Sequence, residues 1–242
     1  MKYSLDIEQN SRVKLSLIVL AYNEEEYIGD CLESIAAQTR PPDEVIVVNN
    51  NSTDKTAEIV QRFPFVKIIN QPIQGMIPAR NIGFNSAIGT LLGRIDADTR
   101  LLPDWVERVH QLLDSQANQV IALSGPCYFF EIKNKWFAEP IALIHQKTFF
   151  GISNLCLGHP TLFGSNMVLT RNAWLKVKDE ICTDGQKVHE DIDLAIHIAK
   201  YGQILFAPKL EVGISIRPFF ETTTKKIWRG KTWYRTIFSK HN

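Results

Sequence analysis

"LSLIVLAYNEEEYIGDCLESIAAQTRPPDEVIVVNN", residues 15–50, contains the change of period that decides the fold. Leu15 to Tyr22 is a short continuous apolar run, the pattern of a strand covered on both faces. The segment after it places Tyr27, Ile28, Cys31, Leu32 and Ile35 on one face of a helix. Pro41 and Pro42 break the chain, and "DEVIVVNN" (43–50) is a second buried strand.

The same alternation continues outward. "STDKTAEIVQRF" (52–63) predicts a helix capped by Ser52 or Thr53. "VKIIN" (66–70) is a third strand, and "IPARNIGFNSAI" (77–88) is a helix with Pro78 in its first turn. "LLGRID" (91–96) is a fourth strand, followed by a helix from Pro103 to about Ser115. This pattern implies an α/β fold, a mostly parallel central sheet with helices on both faces. Such sheets bind ligands at the carboxyl ends of their strands. Those ends carry Tyr22-Asn23-Glu24, Asn49-Asn50-Asn51 and the pair Asp96 and Asp98.

The second half is less regular. Strands are expected within 119–130, in 161–171 behind Gly164, and in 203–208 and 210–216. Helices are expected over 134–150 and over 190–202, the latter with Gly202 as its C-cap. No repeat or low-complexity linker divides the chain. One domain, 14–217, is therefore expected between an N-terminal extension (1–13) and a C-terminal tail (218–242).

The chain has 242 residues, a net charge of +1 and 45% hydrophobic residues, enough for one large core and no general nucleic-acid binding. Its first residues, "MKYSLDIEQNSR", are too polar for a signal peptide, and "VKLSLIVLAY" is too short to span a bilayer, which predicts a cytoplasmic protein. Cys31, Cys127, Cys156 and Cys182 are scattered without CxxC spacing and read as free thiols. No acid follows Glu221, whereas Lys225, Lys226, Arg229, Lys231, Arg235 and Lys240 do, interleaved with Trp228, Trp233, Tyr234, Ile237 and Phe238. That basic aromatic tail packs on the domain or on a partner subunit, or lies as an interfacial helix at the inner face of the cytoplasmic membrane.

Four clusters carry candidate chemistry. Asp96 and Asp98, at i and i+2, share a side and either grip one hard cation or cap a turn. Asn49, Asn50, Asn51 and Asp54 either form a turn and cap or bond a base and ribose. Arg80 in "PARNIG" is a surface arginine or faces an anion. Glu190 and Asp191 in "HEDIDLAIHIAKYG" complement a helix dipole or supply a general base.

In this order, "SLIVLAYNEEEYIGDCLESIAAQT", "DEVIVVNNNSTDKT", "GMIPARNIGFNSAIG", "IDADTRLLPDW", "FGSNMVLTRNAW" and "HEDIDLAIHIAKYG" resemble the family 2 glycosyltransferases, which have the GT-A fold. "VGISIRP" is similar to a closing strand of some members. The resemblance covers roughly residues 14–217. It implies a Rossmann-like fold whose first half (14–115) binds a nucleotide-diphosphate sugar of UDP or GDP type and whose second half (116–217) binds a carbohydrate or lipid-linked acceptor. It implies inverting transfer in cell-envelope or glycolipid biosynthesis, with Mn2+ or Mg2+. Ala21, Tyr22, Glu24 and Asn50 would line the base and ribose pocket, Arg80 would approach the diphosphate, and Asp96 would lie near ribose or metal. Asp98 would be the main metal ligand, Gly164 and Asn166 would face the acceptor, and Asp191, with Glu190 beside it, would be the base. Two departures stand out: "NNN" replaces the usual "DDG", and the closing strand lacks the histidine that often completes the metal site, leaving His189 or water for that role.

Two other readings compete. "IDADT" fits the DxDxT pattern of haloacid-dehalogenase phosphatases, with Asp96 as nucleophile. A GT-A module that binds nucleotide sugar without turnover fits the altered "NNN".

Overall fold

The computed structural model describes residues 13–114, 119–132 and 134–238. Most of the expected N-terminal extension, Ser115 and Lys240 lie outside the described residues. The first half follows the expected alternation: β1 (Leu15–Ala21), α1 (Ile28–Ala36), β2 (Glu44–Asn49), α2 (Thr56–Val60), β3 (Val66–Asn70), α3 (Met76–Ser86) and β4 (Leu91–Asp96). Then come β5 (Arg100–Leu101), α4 (Trp105–Asp114), β6 (Val120–Ser124) and β7 (Cys127–Phe129). Next, α5 (Lys135–Gln146) runs through a π-helical turn (Lys147–Ile152) into α6 (Ser153–Leu157). The chain closes with β8 (Met167–Thr170), α7 (Arg171–Val177), α8 (Glu190–Ala199), β9 (Gln203–Phe206), β10 (Val212–Ile214) and α9 (Thr223–Phe238).

Seven strands form one sheet in the order β3-β2-β1-β4-β8-β6-β9. Four of its pairings are parallel, and only β8 runs antiparallel to its neighbours. A second sheet, β5-β10-β7, stands beside it.

Burial on both faces explains why β1 reads as an unbroken apolar run. Leu15, Leu17 and Val19 pack with α1, α2 and α4, whereas Ile18 and Leu20 pack with α3, α7 and α8. Successive strand residues point to opposite faces, so the sheet forms the middle of three layers. Gly83 lets α3 approach β1: a Cβ there would stand 2.6 Å from Ile18 Cγ2.

Two caps differ from expectation. Helix α2 starts only at Thr56, because Asp54 Oδ1 accepts both the backbone N–H and the hydroxyl of Thr56. Ser52 instead accepts from the backbone of Asn23, tying the ends of β1 and β2 together. Helix α8 ends on Lys200 in a right-handed conformation, and Gly202 lies against Ile121, which a Cβ would approach to 2.9 Å. Gly202 is required by close packing there, not by a left-handed cap.

Candidate active site

The carboxyl ends of β1, β2 and β4 open onto a cavity of about 1040 Å3. Ala21, Tyr22, Glu24, Asn50, Asp96, Asp98, Gly164, Glu190 and Asp191 all line it. Residues from the two halves of the chain thus meet at one place. The loop turns needed at the strand ends use left-handed asparagines, Asn23 (φ 53°) and Asn51 (φ 63°). Asn50 Oδ1 accepts from the backbone of Gly75, which fixes the entry to α3. Asn49 bonds Asn70 on the adjacent strand and serves the fold.

Arg94 organises the centre. It sits two residues before Asp96 on β4, so both point to one side. Its buried guanidinium donates to Asp96 Oδ1 (3.1 Å), to Asp191 Oδ1 (3.0 Å) and to Glu190. Glu190 also accepts from Arg80 Nη1 at 2.8 Å. Burial pushes the Glu190 carboxyl up, but Arg94 and Arg80 outweigh it and hold Glu190 at about 2. Burial and the adjacent Glu190 charge drive Asp191 well above the usual carboxylate range. The arginines thus take Glu190 as their counter-ion and leave Asp191 as the acid able to hold a proton. Asp191 Oδ2 accepts from the backbone N–H of Gly164 at 2.9 Å. A Cβ at Gly164 would stand 2.7 Å from Arg94 Nη2 and 3.0 Å from Asp191 Oδ1.

Asp98 lies just beyond β4, against Arg217. Arg217 Nη2 donates to Asp98 Oδ2 (3.0 Å) and Glu24 Oε2 (2.7 Å), and its guanidinium stacks 4.1 Å from the Tyr27 ring. Burial raises Glu24 to about 7 despite Arg217, with Asp98 and Asp96 adding to the rise. Burial and Asp96 raise Asp98 as well. Glu24, Asp96 and Asp98 converge on this wall, and such hard oxygen donors fit a divalent ion. Magnesium-type ions are commonly held by one or two carboxylates, with substrate phosphates and water completing the shell. Among the described residues no group of three or more His, Cys, Asp or Glu side chains is placed to hold a metal alone. His189 lines the cavity beside Phe149, and burial lowers it to about 4, which keeps the ring neutral.

Two expected site residues face elsewhere. Arg80 is fully buried, pairs with Glu190 and Asn81, and does not line the cavity. It cannot approach a diphosphate there without giving up Glu190. Asn166 is also fully buried: its Oδ1 accepts from Trp105 Nε1 (3.1 Å), and its Nδ2 donates to the carbonyls of Pro126 (3.1 Å) and Leu210 (2.6 Å). It braces α4 against two loops and does not face an acceptor. Its neighbour Ser165 reaches the site, donating to Asp96 Oδ2 at 2.7 Å.

Arg94, Arg217 and Ser165 are the residues that sequence reasoning missed. Arg94 had a signal, since a charge inside the apolar run "LLGRID" is buried only when paired. Arg217 had none, being 119 residues from Asp98. The tail also joins the site. Lys225, Lys226, Trp228 and Arg229 of α9 line the cavity, with Glu221 bonded to Lys225 (2.6 Å) and Arg229 (3.0 Å).

Residues 16–176 match the family model described as Glycosyl transferase family 2. Putative glycosyltransferase EpsH of Bacillus subtilis (strain 168) is 35% identical over 139 residues, covering 54% of this chain and 39% of the relative. The chain thus spans well under half the length of that relative. Among solved structures, the mannosyltransferase PcManGT from Pyrobaculum calidifontis, in complex with GDP-Man and Mn2+, superposes with a TM-score of 0.71 at 21% identity. The match covers 92% of this chain and 62% of that one. S. aureus TarS 1–349 in complex with UDP-GlcNAc gives a TM-score of 0.61 at 19% identity, covering 80% of this chain and 56% of that one. These likenesses show the fold, an α/β GT-A architecture.

Proposed function

The chain belongs to glycosyltransferase family 2, and on that premise we propose that it transfers a sugar, with inversion, from a nucleotide-diphosphate sugar to an acceptor hydroxyl. The observation that carries the reading is the single guanidinium of Arg94 bonded to both Asp96 and Asp191. It ties the acid expected at the donor to the acid expected at the acceptor, across one cavity. Family membership sets the phosphatase reading aside.

In this reading Ala21, Tyr22, Glu24 and Asn50 hold the nucleoside, and residues 14–115 and 116–217 divide donor from acceptor. Asp191 removes the proton of the acceptor hydroxyl as that oxygen attacks C1 from the face opposite the diphosphate. The O–C1 bond forms, the C1–phosphate oxygen bond breaks, the nucleoside diphosphate leaves, and the proton stays on Asp191. Asp191 acts in its ionised form, and a raised proton affinity makes that form the stronger base. Arg217, rather than Arg80, is the arginine at hand for the leaving phosphates. A Mn2+ or Mg2+ ion held by Asp96 and Asp98 would supply further neutralisation of that charge. The acceptor is a carbohydrate or lipid-linked molecule of envelope glycan assembly, used in the cytoplasm at the inner face of the membrane.

The test is a thermal-shift screen with UDP, GDP, CDP, ADP and dTDP, each with and without manganese, on wild type and Asp98→Asn. A ligand that binds only the folded state raises the midpoint by mass action. One nucleotide should raise it in a way that needs both metal and Asp98. Asp191→Asn should keep that shift yet lose transfer by about 10²–10⁴-fold. No shift with any nucleotide, or wild-type transfer by Asp191→Asn, would overturn the reading.

A further inference from the structure

Helix α9 carries apolar side chains on its solvent face as well as its inner one. Lys225, Arg229, Thr232 and Thr236 recur on the inner side at i, i+4, i+7 and i+11, with Trp228 and Trp233 lining the cavity beside them. Thr232 and Thr236 are buried, Thr236 Oγ1 accepts from the backbone of His189 (2.7 Å), and Lys225 and Arg229 line the cavity. Two residues on, at the same spacing, Ile227, Lys231, Tyr234 and Phe238 form an outward stripe. Ile227 is 52% exposed, Tyr234 61% and Phe238 56%. Lys231 and Arg235 are exposed beside them.

The described residues leave Ile227, Tyr234 and Phe238 each more than half exposed. The neighbouring α6, fastened by Trp233 Nε1 bonded to Ser153 Oγ (3.2 Å), adds Leu155, 85% exposed. The cations have a bias of sign, since no acid follows Glu221 in the chain and Glu221 is engaged by Lys225 and Arg229. Apolar and aromatic side chains flanked by unopposed lysine and arginine are the surface that a membrane interface accepts. No helix among the described residues is long and apolar enough to cross a bilayer, so α9 would lie on one.

We propose that the outward stripe of α9, with Leu155, docks on an anionic bilayer, making α9 the partition between membrane and reaction cavity. The aromatic and aliphatic side chains enter the acyl boundary, and Lys231 and Arg235 meet lipid phosphates. The inward stripe then faces the cavity across one helix diameter, about 10 Å. Resting on the glycosyltransferase reading, this makes the acceptor lipid-anchored, entering past α9 rather than from bulk water.

The experiment is co-sedimentation of the full chain with vesicles of phosphatidylcholine alone, and of phosphatidylcholine with a quarter phosphatidylglycerol, at low and high salt. The wild type should pellet with the anionic vesicles and release in salt. Ile227→Ser with Phe238→Ser should lower the partition coefficient at least about tenfold, because two apolar anchors leave the interface. Lys231→Gln with Arg235→Gln should abolish the preference for phosphatidylglycerol. All these side chains are exposed, so the melting temperature and any nucleotide-induced shift should remain. No pelleting with anionic vesicles, or equal pelleting by the Ile227/Phe238 variant, overturns the proposal. So does a dimer in light scattering that this variant dissociates, since a second copy would then cover the stripe. Loss of vesicle binding with an intact nucleotide shift sinks the docking alone. Vesicle binding without any nucleotide shift sinks the donor reading and leaves the docking standing.

Discussion

Glu190→Gln removes the anion that two buried arginines share, and the structure allows its cost to be worked out. Arg80 has a side-chain exposure of 0%, Arg94 of 2% and Glu190 of 11%. Taking away one partner of a buried ion pair costs about 3–5 kcal/mol, because the remaining charge keeps its desolvation penalty. Two effects place this case at the lower end. Glutamine keeps an acceptor oxygen for Arg80. Arg94 keeps Asp96 and Asp191, and Asp191 ionises more readily once the neighbouring Glu190 charge is gone. At about 3 kcal/mol, and roughly 2–4 °C per kcal/mol for a domain of this size, the melting temperature should fall by roughly 6–12 °C at neutral pH. Circular dichroism melts measure it directly. The double variant Glu190→Gln/Arg80→Met separates the cause from simple loss of contacts. It removes the stranded charge and should recover part of the loss. A fall under about 2 °C in the single variant, outside that estimate, or no recovery in the double, would refute the counter-ion role of Glu190.

Three further outcomes follow from the geometry. Gly164→Ala should push Arg94 off Asp191 and lower kcat by about tenfold or more, as misplaced catalytic groups do, with little change in nucleotide binding; unchanged kcat would show that the pair tolerates displacement. Asn166→Ala strands Trp105 Nε1 and the Leu210 carbonyl, each worth about 1–3 kcal/mol when buried and unpaired, while the Pro126 carbonyl keeps the Val212 N–H, so it should act on stability. Loss of transfer at an unchanged melting temperature would restore Asn166 to the acceptor site. Glu24, raised to about 7 from an ordinary 4.5, binds its proton more tightly folded than unfolded. Its contribution to stability is full below 4.5 and lost as pH rises through 7, so without metal the melting temperature should decline across that window. Glu24→Gln should flatten the decline, and an unaltered slope would assign it to other groups.

Much of the fold was legible because its signals are local. The apolar run at Leu15–Ala21 and the heptad-like spacing of Ile28, Cys31, Leu32 and Ile35 needed only strand and helix periods. The polar ends of β1, β2 and β4 were legible for the same reason, since parallel strands place their carboxyl ends at one edge. Asp191 and the Asp96 and Asp98 pair emerged from motif order and do meet in one cavity. Arg80 and Asn166 were misread because residue type and motif position say nothing about which way a buried side chain turns. Arg80 turns to Glu190, 110 residues away, and Asn166 to Trp105.

The amino-acid sequence alone determined the layered α/β architecture, the strand edge where the cavity opens and the acids that gather there, because periodicity and strand polarity are written residue by residue. Only the tertiary structure decided which cation faces which acid: Arg94 between Asp96 and Asp191, Arg80 beneath Glu190, Arg217 on Asp98 and Glu24. It alone turned Lys225, Arg229, Thr232 and Thr236 of the tail inward and Ile227, Tyr234 and Phe238 outward. Charge pairing and helix docking depend on distances between residues far apart in sequence, and burial makes those distances energetically decisive.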